Sequence, residues 1–292
     1  MDQFNVYKDM KARTNGEIYI GVVGPVRTGK STFIKRFMNL MVLPNIEDEN
    51  DRNRANDELP QSSSGKTIMT TEPKFVPNEA VSIKTEEGIE LNVRLIDCVG
   101  YMVEGATGHM EGEEERLVKT PWFDYEIPFT KAAAIGTKKV ITEHSTIGVV
   151  VTCDGSFGEI AAKQYEPAEE ETIKQLKALK KPFVVLLNTI HPYSESTKQL
   201  AAEKEEKYQT KVLPMNLEQM KKEDIYEIIK SVLMEFPISS IGFYVPRWTE
   251  MLKKDHPLKM ELLQMARDVI TEKTTMRDIY EEQEKELSLI HI

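Results

Sequence analysis

The chain is short of cysteine, of positive charge and of long apolar runs, and each shortage excludes a class of protein. Two cysteines in 292 residues, Cys98 and Cys153, are too few for the disulfide framework of a secreted scaffold and fit a reducing compartment. Lys and Arg number 38 against 48 Asp and Glu, a formal net charge of −10. Duplex phosphates are neutralised by clustered cations, so no nucleic acid partner is expected. There is no run of about 18 consecutive apolar residues to cross a bilayer, and the opening MDQFNVYKDMKART has no apolar signal core. A cytoplasmic protein with at most peripheral membrane contact is the expectation. What remains is ample: with 40% hydrophobic residues, the chain can bury one large core or two smaller ones.

One stretch carries strong chemistry. GVVGPVRTGKSTF, residues 21–33, fits G-x-x-x-x-G-K-[ST] with Gly24, Gly29, Lys30 and Ser31 at the fixed places. It lies between a strand-like EIYIGVV and a helix-like KSTFIKRFMNLMV. Backbone N–H groups of such a loop and helix start converge on phosphate, and the helix dipole favours the same charge. Gly24 and the run Arg27, Thr28, Gly29, Lys30, Ser31 and Thr32 form the expected nucleotide-binding set, with Lys30 on the outer phosphates and Ser31 on Mg²⁺.

The rest of the chain reads as a doubly wound α/β order with helices on both faces of a mostly parallel sheet. A helix over 30–42 is expected to end at Pro44. Residues 44–72 are polar and charged, a long loop with room for a short helix. KFVP to VSIKT and then IELNVRLIDCVG read as a hairpin turning at EEG, and its second strand ends on Asp97. Asp97 begins a D-x-x-G run in LIDCVGY; an acid at this point holds Mg²⁺ and the glycine N–H, here Gly100, meets the γ-phosphate. The long loop ends in GKTIMTTEPKF, where a threonine is needed to close on Mg²⁺ and sense the γ-phosphate. Thr70 and Thr71 are the candidates, and spacing does not choose between them. The segment 101–128 admits two readings, an adjustable lid or assembly surface using Trp122, Phe123 and Tyr125, or a packing cluster. A helix follows from about Phe129 to His144. STIGVVVTCDG, PAEEETIKQLKALK, KPFVVLLN, TKVLPMN and KKEDIYEIIKSVLMEF then alternate strand and helix.

A hairpin after the P-loop with D-x-x-G on its second strand resembles the translation-factor class of GTPases. That class reads guanine with N-K-x-D, whose aspartate accepts from the ring N–H and the amino group. Here the matching place is LLNTIHP: Asn188 is kept, but Thr189 and His191 replace the lysine and aspartate. A site built to pair with a base discriminates by about 10⁴ or more, and losing the acceptor removes most of that. ATP, the more abundant triphosphate, becomes the expected ligand. Tyr101 stands where a water-orienting Gln or His often follows D-x-x-G, so hydrolysis is expected to be slow. Arg27 stands either as an arginine in cis to the phosphates or as a solvated or paired side chain.

The runs GVVGPVRTGKSTFIKRFM, DELPQSSSGKTIMTTEPKFVPNEA, DCVGY, TPWF and EHSTIGVVVTCDG together resemble the stage IV sporulation protein A family, ATPases that build the basement layer of the bacterial spore coat. The resemblance covers roughly residues 1–280. It implies ATP hydrolysis with Lys30 on phosphate, Asp97 on Mg²⁺, and Thr70 and Thr71 as sensors. It also implies polymerisation with copies of itself on the outer forespore membrane in the mother cell, a small amphipathic membrane-anchoring peptide as partner, and recruitment of further coat proteins. Residues 1–240 are expected to form the P-loop domain and 241–292 to begin a helical middle region. The chain stops at EEQEKELSLIHI inside a helical pattern, so it reads as an amino-terminal portion. The stripe Leu258, Leu262, Met265 and Val269 is expected to pack on parts beyond it. Two other classes stay open: a regulatory GTPase, and a scaffold that binds nucleotide without hydrolysis.

Overall fold

The computed structural model describes residues 16–60, 72–84, 90–112, 114–158, 160–238, 242–243, 245, 247–272 and 274–278. They fall into two compact units, Met1–Val232 and Leu233–Ile292.

The first unit is an α/β layer structure around a six-stranded sheet of order β10-β9-β8-β1-β3-β2. Its strands are β1 (Glu17–Val23), β2 (Lys74–Lys84), β3 (Glu90–Asp97), β8 (Ile147–Cys153), β9 (Phe183–Asn188) and β10 (Val212–Met215). All neighbours pair in parallel except the edge strand β2, which runs antiparallel to β3. Central parallel strands are covered on both faces and so read as unbroken apolar runs. IGVVVTC of β8 and FVVLLN of β9 are buried at every position. Because β1, β3, β8 and β9 are parallel, their carboxyl ends meet along one edge of the sheet, the usual place for a ligand in such folds.

Helix α1 (Lys30–Phe37) buries Phe33, Ile34 and Phe37. The expected helix over 30–42 is regular only to Phe37; it widens into a π turn over Met38–Val42 and tightens into a 3-10 turn, Leu43–Asn45, that includes Pro44. Proline is tolerated there because the start of a turn does not use its missing N–H. Within the polar stretch after it, α2 (Glu49–Asp57) is started by Asp48, whose carboxylate accepts from Asn50 N at 2.8 Å and Asp51 N at 3.0 Å.

The segment after β3 forms two small hairpins, β4 (Met110–Glu111) with β5 (Glu114–Glu115) and β6 (Leu117–Thr120) with β7 (Phe123–Pro128). They lead into α3 (Phe129–Lys139) and a π turn, Val140–His144. Phe123 and Tyr125 stack with ring centroids 5.3 Å apart, while Lys131 lies 5.9 Å from the Phe123 ring and Lys139 5.8 Å from that of Trp122. Trp122 and Phe123 are thus half-buried beside basic side chains of α3, while Tyr125 is exposed.

Helix α4 (Ala162–Ala178) begins five residues before Pro167, where the sequence places its start. The Gln164 side chain accepts from Ala161 N at 3.0 Å and closes the helix end upstream, so Pro167 sits in the second turn. Helix α5 (Glu195–Tyr208) follows β9, and α6 (Lys222–Met234) carries the chain to the unit boundary. Glu169 of α4 is fully buried; it accepts from Thr152 of β8 and pairs with Lys204 of α5 at 2.6 Å.

In the second unit, Ile238 N donates to Thr274 O and Met276 N to Phe236 O, each at 3.0 Å. A 3-10 turn (Arg247–Met251) and α7 (Pro257–Glu272) lie between. Leu258, Met265 and Val269 of the stripe read from the sequence are exposed, and Leu262 is half-buried.

Candidate nucleotide site

The P-loop connects β1 to α1 and is tied at both ends by its own sequence. Gly29 caps α1 with φ 102°, a conformation that side chains rarely adopt, and a Cβ on it would stand 2.7 Å from the Asn188 amide nitrogen. Asn188, at the end of β9, is 6% exposed; its Nδ2 donates to Thr28 O at 3.0 Å and its Oδ1 accepts from Leu217 N at 3.2 Å. The side chain is therefore a strut between the P-loop and the loop after β10. Thr28 is buried, with its hydroxyl donating to Pro25 O at 3.0 Å. The loop after β3 braces the other side: Val26 N donates to Tyr101 O at 2.9 Å and Tyr101 N to Gly24 O at 3.3 Å.

Two opposite charges meet at this edge, a buried Lys30 and a half-buried Asp97. Lys30 is 5% exposed and its ammonium donates to Gly24 O at 3.3 Å and to Pro25 O. Burial pulls its pKa below the ordinary lysine value, against the attraction of Cys98 and Asp97. Burial also pushes the Asp97 carboxyl up to about 6, opposed by Lys30, the Cys98 backbone, Lys74 and the Ser31 hydroxyl. The Oδ1 atom of Asp97 is buried without a hydrogen-bond partner. A lone oxygen acceptor beside a serine hydroxyl fits a hard cation, which takes oxygen ligands. Among the described residues no group of three or more His, Cys, Asp or Glu makes a dedicated cage.

Gly100 closes the turn after Asp97 with φ 95°. A Cβ there would stand 2.2 Å from Gly24 O and 2.5 Å from Lys30 Nζ, so only glycine lets the turn lie against the P-loop. Its N–H donates to the Thr137 hydroxyl of α3 at 3.2 Å. Thr137 is fully buried; it lies within a helix and far along the chain from the P-loop, where no motif marks it.

The structure brings Gly24, Thr28, Gly29, Lys30, Ser31, Asp97, Gly100 and Asn188 to one edge. Ser31 and Thr32 are half-buried at the start of α1. Thr70 and Thr71 lie outside the described residues. Arg27 is exposed with φ 62°, and its Nη2 donates to Thr107, to Oγ1 at 3.1 Å and to O at 3.4 Å. The Tyr101 hydroxyl donates to Gln175 Oε1 of α4 at 2.8 Å, and burial pushes its pKa to about 12. Thr189 is fully buried, its hydroxyl accepting from His191 N at 3.1 Å, while the His191 side chain is exposed. Among the described residues no helix is long and apolar enough to cross a membrane.

Comparison with known proteins agrees with this architecture. Residues 1–237 match the family model for the stage IV sporulation protein A ATPase domain, and residues 238–291 match that for its middle domain. A stage IV sporulation protein A from Clostridioides difficile is 54% identical over 275 residues, 94% of this chain and 56% of that protein. Those of Bacillus anthracis and Bacillus subtilis are 49% and 48% identical over 279 residues, 96% of this chain and 57% of each. The chain thus spans a little over half the length of these relatives. It belongs to the stage IV sporulation protein A family.

Proposed function

We propose that the chain is the ATP-binding and ATP-hydrolysing part of a morphogenetic protein that polymerises on the outer forespore membrane to form the basement layer of the spore coat. The observation that carries the reading is the pair at the sheet edge, buried Lys30 in the P-loop and half-buried Asp97 with a buried oxygen left unpartnered. The family's ATPase domain supports nucleotide hydrolysis.

In this reading Lys30 gives the outer phosphates an ammonium with three donors. The N–H groups of Gly24, Arg27, Thr28, Gly29, Lys30, Ser31 and Thr32 cradle the remaining oxygens. Ser31 and Asp97, together with Thr70 and Thr71, would hold Mg²⁺. Mg²⁺ would supply neutralisation of the phosphate charge. The Gly100 N–H faces the γ-phosphate. Asn188 acts indirectly, by holding the P-loop through Thr28.

Turnover is slow on this account because the Tyr101 hydroxyl is committed to Gln175 and does not orient water. Arg27 hydrogen-bonds Thr107, which favours its reading as a paired side chain; an arginine on the phosphates contributes about 10³–10⁵ in rate. With Thr189 turned into the fold and no carboxylate two residues on, the site lacks the guanine acceptor, and ATP binds by abundance.

Family membership supports the wider picture: self-association into a homopolymer, a small amphipathic anchoring peptide, further coat proteins above, and a place in the mother-cell cytoplasm against the forespore membrane. Residues 1–240 are the NTPase domain and 241–292 the beginning of the middle domain. The test is multiple-turnover phosphate release from ATP with Mg²⁺, in the wild type and in the Thr70→Ala/Thr71→Ala variant. Release in the wild type and binding without release in the variant are expected; equal release in both sinks the sensor role, and none in either leaves a binding scaffold.

A further inference from the structure

The Gly100 N–H is one proton aimed at the buried Thr137 hydroxyl at 3.2 Å, with the Cys98 thiol beside it as a weaker acceptor. That hydroxyl also hydrogen-bonds the Cys98 thiol, and Cys98 Sγ donates to Val22 O of β1 at 3.4 Å. Amide, hydroxyl, thiol and carbonyl form a continuous relay that fixes the turn after Asp97 between α3 and β1. Every side chain in it is buried. The turn is pressed on the P-loop as well, since Gly100 leaves no room for a Cβ beside Gly24 O and Lys30 Nζ.

On the reading above, which this inference deepens, the γ-phosphate offers the same N–H a second acceptor. One N–H does not serve both at full strength. A triphosphate draws the Gly100 hydrogen bond away from Thr137, whereas a diphosphate leaves it in place. We propose that Thr137 is a positioning residue that holds the Gly100 N–H and so sets how strongly the site prefers a nucleoside triphosphate to the diphosphate. The exchange also reaches the hairpins, because α3 is anchored to β5 by Thr130 N donating to Glu115 Oε1 at 2.8 Å. The segment 101–128 thereby gains a physical link to the phosphate.

The test compares affinities for a non-hydrolysable ATP analogue and for ADP, both with Mg²⁺, on the whole chain. Thr137→Val removes the acceptor at nearly constant shape. The diphosphate state then leaves this N–H with only the weakly accepting Cys98 sulfur, whereas the triphosphate state pairs it with phosphate, so the triphosphate-to-diphosphate affinity ratio should rise about two- to tenfold, the worth of one hydrogen bond. Thr137→Ser keeps the hydroxyl and should keep the wild-type ratio. If the valine variant fails to fold, Thr137→Ala takes its place in the same comparison with serine. An unmoved ratio, as simple damage to the site would give, or a serine variant that shifts with valine, overturns the inference. Wild-type protein that binds neither nucleotide overturns the proposed function itself, an outcome distinct from normal binding with an unmoved ratio.

Discussion

Replacing Asp97 with asparagine should make the protein more stable while removing its Mg²⁺-dependent turnover. The carboxyl titrates near 6 in the folded chain against an ordinary 3.8, with burial outweighing the attraction of Lys30. The folded state therefore holds a proton that the unfolded state has released between those two values, and stability falls as pH rises through that window. Above it the full difference of about two units applies, roughly 3 kcal/mol as an upper figure. Asparagine resembles the protonated acid and removes this penalty. For a unit of this size that is a rise in melting temperature of about 5–10 °C at pH 7.5. At pH 5 the wild type has recovered part of its proton, and the advantage of the variant should shrink to about half. Thermal unfolding of both proteins without nucleotide at the two pH values is the assay. A variant no more stable than the wild type at pH 7.5, or an advantage that does not shrink at pH 5, would refute the reasoning that burial dominates at Asp97.

Three further outcomes follow from the same geometry. Lys30→Ala should weaken ATP binding about 10- to 100-fold by equilibrium titration, because a charge-assisted contact to phosphate is worth about 1.5–3 kcal/mol; unchanged affinity would remove Lys30 from the site. Gly100→Ala should lower stability by at least about 1–3 kcal/mol, from the left-handed backbone at φ 95° alone, and should impair ATP binding through the clash with Gly24 O and Lys30 Nζ; denaturant unfolding reads the first and titration the second. Lys204→Met should destabilise by about 3 kcal/mol or more, since it strands the fully buried Glu169 without its 2.6 Å partner, and a midpoint unchanged in denaturant would show the pair to be dispensable.

The elements with a local signature were legible in the sequence. β8 and β9 are apolar at nearly every position because both faces are covered, and the Gly-Lys-Ser spacing fixes a loop whose backbone must turn left-handed at Gly29. Asp97 follows from its place at the end of β3. What escaped were features made by distant partners. Thr137 has its place through a hydrogen bond to Gly100, and Asn188, legible as the retained asparagine of the base-reading run, proves to brace Thr28 instead, contacts that no periodicity records. Pro167 suggested a helix start, while the side chain of Gln164 had already closed the helix end upstream. The hairpins over 110–128 are short and half-exposed, and so carry no apolar run long enough to mark a strand.

The central claim is a triphosphate site that has kept its phosphate cradle and lost its preference for guanine. Direct competition between ATP and GTP for the wild-type chain, in Mg²⁺ at pH 7.5, tests it most directly. With Thr189 buried and no carboxylate at position 191, GTP should compete within about tenfold of ATP, far short of the roughly 10⁴ of a base-reading site. A GTP preference of 10³ or more would contradict the account and return the chain to the guanine-reading class; binding of neither nucleotide would contradict the site itself.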